Sequence, residues 1–252
     1  MTETKVKFLG HTAILIEHSG TRIVIDPNFG GSSLFIKRQT PPSFDPFELH
    51  NVEAVLFSNP RTDRMNQASL KYFKQRKARL VLAKGLAGHM NRFFNFPMTE
   101  VASGQEFTIG EFAITALASF HTSFRFLKKY SVALNFLIKT PDKTIFYGSD
   151  AKYDKNFYAG IGENNKIDLA ILPIDFLGTA WLNRGNYLSI SEALSAFQDL
   201  KAAKLLPNAY GAFAWQGQKS SACLKVLQRE MDNDRSLKEK VVILEPGASL
   251  TL

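Results

Sequence analysis

The chain reads as an α/β protein in which sheets carry helices on their outside. Three observations lead there. Short apolar, β-branched runs of strand length recur through both halves of the sequence. A few amphipathic patterns of helical period sit between them. No low-complexity or linker-like stretch divides the 252 residues, so residues 1–252 are read as a single domain. At about 150 residues per domain the length alone allows one large domain or two small ones.

The elements follow in order. Lys5 to Leu9, Thr12 to Glu17 and Thr21 to Ile25 are strand patterns separated by Gly10-His11 and Ser19-Gly20. A proline-containing loop runs from Asn28 to about Asn51, and Val52 to Phe57 is a buried-type strand. Asn66 is placed as the N-cap of a helix reaching about Lys77. Arg79 to Ala83 is a strand, and a helix is expected from Gly85 to Phe94. In the second half, Phe112 to Ala118, Val132 to Lys139, Thr144 to Tyr147 and Asp168 to Pro173 read as strands. Ser189-Ile190-Ser191-Glu192 is a capping box before the apolar positions Leu194, Phe197 and Leu200. Leu205 to Pro207 is a short strand, a helix is expected from about Lys219 to Met231, and Val241 to Leu244 is read as the last strand.

Composition narrows the function classes. With 45% hydrophobic and 21% charged residues, whole-chain disorder, collagen and coiled coil are excluded. The lone cysteine, Cys223, rules out an intrachain disulfide or a cysteine-based zinc cluster, and its apolar helical setting marks it as buried. No apolar stretch approaches the roughly 20 residues of a membrane span, and the opening segment lacks a signal-peptide pattern. A soluble, cytoplasmic protein is expected. Lys plus Arg outnumber Asp plus Glu by 31 to 23, a net charge of +8, which suits a small anionic partner. No nucleic-acid-binding signature accompanies that charge, so no nucleic-acid partner is expected. The 21 phenylalanines leave room for a third reading, an interaction surface on aromatic loops, although most should be core.

Polar residues collect where apolar strands end. Asp26, the run Ser58-Asn59-Pro60-Arg61-Thr62-Asp63-Arg64, His121, Asp150 and Asp175 each follow such a strand. Loops at strand ends are common places for a site, because the strands position them rigidly. Each residue alone is more economically a turn former, a cap or a satisfied core group. Other chemistries lack support: there is no G-x-S-x-G elbow, no phosphate loop, no H-E-x-x-H, and Gly160-Ile161-Gly162 lacks a third glycine and a preceding strand.

Several segments carry a resemblance. They are Phe8 to Ile16 with its Gly-His step, Gly20 to Pro27 as G-x-x-I-V-x-D-P, and Ile145 to Asp150. Asp168 to Ile174, Glu192 to Leu194 and Lys204 to Pro207 complete the set. In order and spacing they resemble the metallo-β-lactamase superfamily. The likeness is to the branch with ascorbate-6-phosphate lactonase and the N-acyl-phosphatidylethanolamine phospholipase D-like hydrolases. That resemblance implies a four-layer αββα sandwich. It also implies a loop H-x-H-x-D-H whose imidazoles and carboxylate hold two metal ions that activate water.

The departure from the family lies in that loop. The aligned residues are Asn59-Pro60-Arg61-Thr62-Asp63-Arg64, with every histidine replaced and Asp63 retained. The resemblance places His121 at the next histidine ligand, Asp150 at the bridging carboxylate, and Tyr187 and Ala209 where the branch has its last two histidines. Arginine stays protonated and repels a cation. The expectation is therefore a catalytically degenerate homologue without a cofactor, in which Arg61 and Arg64 stand in for metals beside Asp63 and Asp150. Such a cluster either holds a small anionic or phosphorylated ligand, with Asn59, Arg61, Arg64, Tyr187 and His121 as contacts, or is a structural salt-bridge cluster. The competing expectation is a working hydrolase. Asp63, His121 and Asp150 would be its catalytic and metal-holding residues, with one Zn, Mn or Mg ion, cleaving a phosphodiester, lactone or amide.

Overall fold

The computed structural model describes residues 3–33, 36–74, 78–90, 95–119, 123–125, 128–130, 133–174, 187–214 and 221–252. In the first half the strands are β1 (Thr4–Gly10), β2 (Ala13–His18), β3 (Thr21–Ile25), β4 (Ser32–Ser33), β5 (Ile36–Lys37), β6 (Ala54–Leu56), β7 (Arg79–Ala83) and β8 (Met98–Val101). The second half adds β9 (Glu106–Ile109), β10 (Phe112–Ser119), β11 (Ser123–Arg125), β12 (Lys128–Tyr130), β13 (Ala133–Lys139), β14 (Thr144–Tyr147), β15 (Leu169–Pro173), β16 (Lys204–Asn208) and β17 (Ser249–Thr251). The α-helices are α1 (Pro46–His50), α2 (Ala87–Met90), α3 (Lys155–Asn164), α4 (Ile190–Asp199), α5 (Ala222–Asn233) and α6 (Arg235–Lys240).

Two sheets carry the architecture. One has the order β17-β1-β2-β3-β6-β7-β8 and the other β16-β15-β14-β13-β10-β9. A continuous apolar core joins them, with Ile14, Val24 and Leu56 from one sheet and Phe136, Ile145 and Ile171 from the other fully buried. Helices α3 and α4 pack on each other, and α4 lies against β15. The fold class is the α/β sandwich expected from the sequence. No helix among the described residues is long and apolar enough to cross a membrane.

Strand direction places the site. In the first sheet β3, β6, β7 and β8 run parallel, and in the second β14, β15 and β16 do. Parallel strands finish on one edge of their sheet, where ligands generally bind in open α/β folds. Asp26, Ser58, Asp150 and Ala209 follow the ends of β3, β6, β14 and β16. The two edges are tied together where the Leu134 N–H donates to the Ser58 carbonyl at 2.7 Å.

Several expectations are corrected. The stretch from Val241 to Leu244 is not a strand: Val241 makes only an isolated bridge to Leu205, and the closing strand is β17, on the free edge of β1. The helix after Asn66 is a short 3-10 helix, Gln67–Phe73, capped as expected by the Asn66 side chain. The segment expected as helix from Gly85 is helical over Ala87–Met90. Cys223 is buried, as expected, and forms no disulfide.

The Ser189 capping box is present: its hydroxyl accepts the Glu192 N–H at 3.3 Å, and the Glu192 carboxylate accepts the Ser189 N–H at 2.8 Å. Ser189→Ala should therefore cost about 1 kcal/mol of stability, read by urea unfolding, through the orphaned first turn of α4.

Candidate functional site

The loop after β6 folds back on the end of β14. The Asn59 side-chain carbonyl accepts the Arg61 N–H at 3.0 Å, which turns the chain sharply. The Arg61 N–H and carbonyl start a tight turn in which Arg64 and Met65 donate back to the Arg61 carbonyl at 3.1 and 2.7 Å. That turn sends Arg61, Asp63 and Arg64 toward Asp150.

Guanidinium forks dominate the geometry. Arg61 grips Asp63 with Nε and Nη2, each 2.8 Å from a carboxylate oxygen, and reaches Asp150 Oδ2 with Nη1 at 3.1 Å. Arg64 grips Asp150 from the other side, with Nε at 3.0 Å from Oδ2 and Nη2 on Oδ1. Its Nη1 donates to Asp26 Oδ2 at 3.2 Å and to the Tyr147 hydroxyl at 3.4 Å. Asp26 further accepts the Ser58 N–H at 2.7 Å, the Ser58 hydroxyl and the Tyr147 hydroxyl at 2.9 Å. Bidentate pairs of this kind are the strong form of the ion pair, and a buried one needs every lone pair met.

Burial separates the two arginines. The Arg64 side chain is 1% exposed, whereas that of Arg61 is 14% exposed and lies 5.0 Å from the Tyr187 ring centre. Arg64 is thus a sealed bracket, and Arg61 forms the outer layer.

The electrostatics follow from burial and pairing. Burial alone would raise the Asp63 pKa, but Arg61, with His11 and Arg64 behind it, holds it well below the usual carboxylate range. Burial would lower that of Arg64, but Asp150, Tyr147 and Asp26 raise it well above normal. Burial pushes Asp26 up, outweighing Arg64 and Ser58. His11 goes down, because burial outweighs the nearby Asp63 carboxylate. Its Nε2 lies 3.4 Å from Asp63 Oδ2, so the N–H sits there and Nδ1 carries a lone pair.

Of the residues expected from the sequence, Asn59, Arg61, Asp63, Arg64, Asp150 and Tyr187 come together. His121 and Asp175 lie outside the described residues. Ala209 sits buried at φ 65° beside the His11 carbonyl, which accepts its N–H at 2.7 Å. Sequence reasoning left out His11 and Tyr147 and treated Asp26 only as a strand-end residue. Tyr147 carries no signal of its own, since it ends the apolar run Ile145-Phe146-Tyr147.

As arranged, this donor set does not fit a metal ion. Both oxygens of Asp63 and of Asp150 already face guanidinium N–H groups, which a cation would have to expel. Among the described residues no group of three or more His, Cys, Asp or Glu side chains gathers as a metal cage.

Comparison with known proteins gives the context. A family model described as the beta-lactamase superfamily domain matches residues 21–208. A UPF0173 metal-dependent hydrolase of Pyrococcus furiosus is 26% identical over 251 residues, covering 98% of this chain and 99% of its own. An uncharacterized protein of Mycobacterium tuberculosis is 24% identical over 221 residues, 82% of this chain but only 59% of its own, so the chain spans about three fifths of that relative. Among solved structures, Igni18, a metallo hydrolase of Ignicoccus hospitalis, superposes with a TM-score of 0.75 at 19% identity, covering 99% of this chain and 98% of its own.

Proposed function

Because the chain belongs to the β-lactamase superfamily, we propose that it is a metal-free member. In this reading the metal-binding loop has become a guanidinium–carboxylate bracket, and the hydrolytic activity of the fold is lost. The observation that carries this reading is the double fork: Arg61 on Asp63 and Arg64 on Asp150. A metal pair would bring positive charge to those carboxylates. Two arginines bring it permanently, fill the same space and offer no lone pair to a metal.

The names of relatives favour the other reading, a metal-dependent hydrolase, which here would rest on Asp63, His121 and Asp150 with one divalent ion. Elemental analysis of protein purified without chelator separates the two. Metal well below one ion per chain is expected, with no turnover of phosphodiesters, lactones or amides. One or more equivalents of a transition metal would overturn the metal-free proposal.

The charge count also bears on the ligand. Asp26, Asp63 and Asp150 face Arg61 and Arg64, with His11 neutral, so the bracket holds one more carboxylate than guanidinium. Within the bracket an anion would meet Arg61 as the outer guanidinium, with the carboxylates of Asp63 and Asp150 beside it. That argues for a ligand taken up by the uncharged groups next to the bracket.

A further inference from the structure

Beside the bracket lies a set of buried polar groups that the proposed function does not use. Tyr147 pairs with Ile171 and Ile171 with Leu206, so the three share one face of the second sheet. The Tyr147 hydroxyl oxygen lies 3.1 Å from the Thr12 carbonyl oxygen, so that face looks toward the first sheet. Two residues further on, the same register puts Pro173 against Asn208, and the Gly148 N–H donating to the Ile171 carbonyl at 2.8 Å carries Ser149 alongside Pro173. Ser149, Pro173 and Asn208 thus form a row across the ends of β14, β15 and β16. His11 stands next to it, because its carbonyl accepts the N–H of Ala209.

This row ends in unmet hydrogen-bonding groups. The Ser149 hydroxyl, both polar atoms of the Asn208 carboxamide and His11 Nδ1 are buried, and among the described residues none has a hydrogen-bond partner. Such groups are rare in folded proteins and each is destabilising unless something meets it. Strain collects at the same place. His11 and Ala209 are not glycines, yet they have φ of 59° and 65°. Left-handed backbone of this kind tends to cluster at binding sites.

We infer that this row binds a neutral, polyhydroxylated small molecule such as a sugar or polyol, an inference that rests on the metal-free reading above. The unmet groups set the class. His11 Nδ1 and Asn208 Oδ1 need donors, Asn208 Nδ2 needs an acceptor, and Ser149 Oγ serves as either. A hydroxyl is both donor and acceptor, so adjacent hydroxyls satisfy the whole set. A hydrogen phosphate dianion brings a single donor hydrogen, so it could not meet both His11 Nδ1 and the Asn208 carbonyl, and it would face Asp63 and Asp150. Arg38, whose charge acts on His11, donates to the carbonyls of Gly30, Thr40 and Asn28 at 2.8, 3.3 and 2.5 Å and packs on Phe213 at 4.8 Å. It serves the loop rather than the row.

The test is thermal unfolding of the full chain against a panel of neutral sugars and polyols, including D-ribose, D-glucose and myo-inositol, with inorganic phosphate as the contrasting probe. At roughly ten times its Kd, a panel member should raise Tm by about 3–6 °C, and phosphate should not. Asn208→Leu, which keeps the shape without the polar atoms, should match or exceed the wild-type Tm without ligand and abolish the sugar-dependent shift. A panel flat throughout, a response to phosphate alone, or an Asn208→Leu protein that is folded by circular dichroism but less stable without ligand would each overturn the inference. The last outcome would mean that water permanently satisfies the carboxamide. Metal content is measured on the same preparation, so failure of the metal-free reading shows as bound metal whatever the sugars do.

Discussion

Arg64→Met should destabilise the protein by about 3–5 kcal/mol at pH 7, lowering Tm by roughly 6–20 °C. The substitution keeps much of the side-chain volume, so the loss reports on charge and hydrogen bonding. Arg64 is enclosed and makes four contacts at once, two to Asp150, one to Asp26 and one to Tyr147. Removing it takes from Asp26 the guanidinium that it faces and from Asp150 its bidentate fork. Unpaired buried carboxylates are the costly outcome, more so than the modest net value of the intact pair. Arg64→Lys should recover little, because an ammonium cannot reproduce the planar fork on Asp150 and still reach Asp26. Adding Asp26→Asn to Arg64→Met should restore part of the loss, and the double-mutant cycle gives the coupling directly. A loss below about 1 kcal/mol in urea unfolding would show that the bracket is not what holds these strand ends together.

That expectation also explains which parts of the site the sequence could reveal. Arg61 and Asp63 lie two residues apart in one loop, and their pairing follows from local turn geometry. Arg64 and Asp150 are far apart in the chain, and only the resemblance brings them to one place. The third carboxylate partner was less visible. Asp26 looks like an ordinary residue after a strand, and the Tyr147 hydroxyl that reaches it belongs to a residue whose sequence context is entirely apolar.

The fold shows the same division between local and long-range causes. Arg79–Ala83 and Thr144–Tyr147 were legible to the residue, because apolar runs bounded by polar residues need nothing beyond themselves. Helix α3 was not legible, because Gly160 and Gly162 depress its helical propensity. The structure shows why a glycine sits there. A Cβ on Gly162 would lie 2.5 Å from the Asp199 carbonyl oxygen and 2.6 Å from the Leu200 backbone, so the glycine lets α3 approach the end of α4 closely. Strand β17 was missed for a related reason: its three residues pair with β1 at the opposite end of the chain, and no local pattern marks an edge that short.

Stability should fall in two stages as the pH drops, and the stages should belong to different residues. His11 is held below its ordinary value of 6.5, with burial as the main cause and Asp63 pulling the other way. Below about pH 6.5 the unfolded chain takes up a proton that the folded protein refuses, so acidification favours unfolding by up to about 1.4 kcal/mol per pH unit until His11 itself titrates. Asp63 sets the second stage. Its folded pKa is depressed beneath the ordinary 3.8, chiefly by Arg61 overcoming burial. Its contribution is therefore fully present above pH 3.8 and is lost progressively below it, with the same limiting slope. Asp26 works in the opposite direction, since burial raises its folded pKa: between 3.8 and that raised value the folded state takes up a proton first, and acidification favours folding. Urea unfolding from pH 8 to pH 2.5 separates these contributions. His11→Gln should remove the upper stage and leave the lower one. Asp63→Asn should flatten the lower stage, at the cost of a stability loss at neutral pH from the unpaired Arg61 fork. An upper stage unchanged in His11→Gln would assign the near-neutral titration to another group, and the picture of a neutral imidazole offering its Nδ1 lone pair beside Asn208 would fall with it.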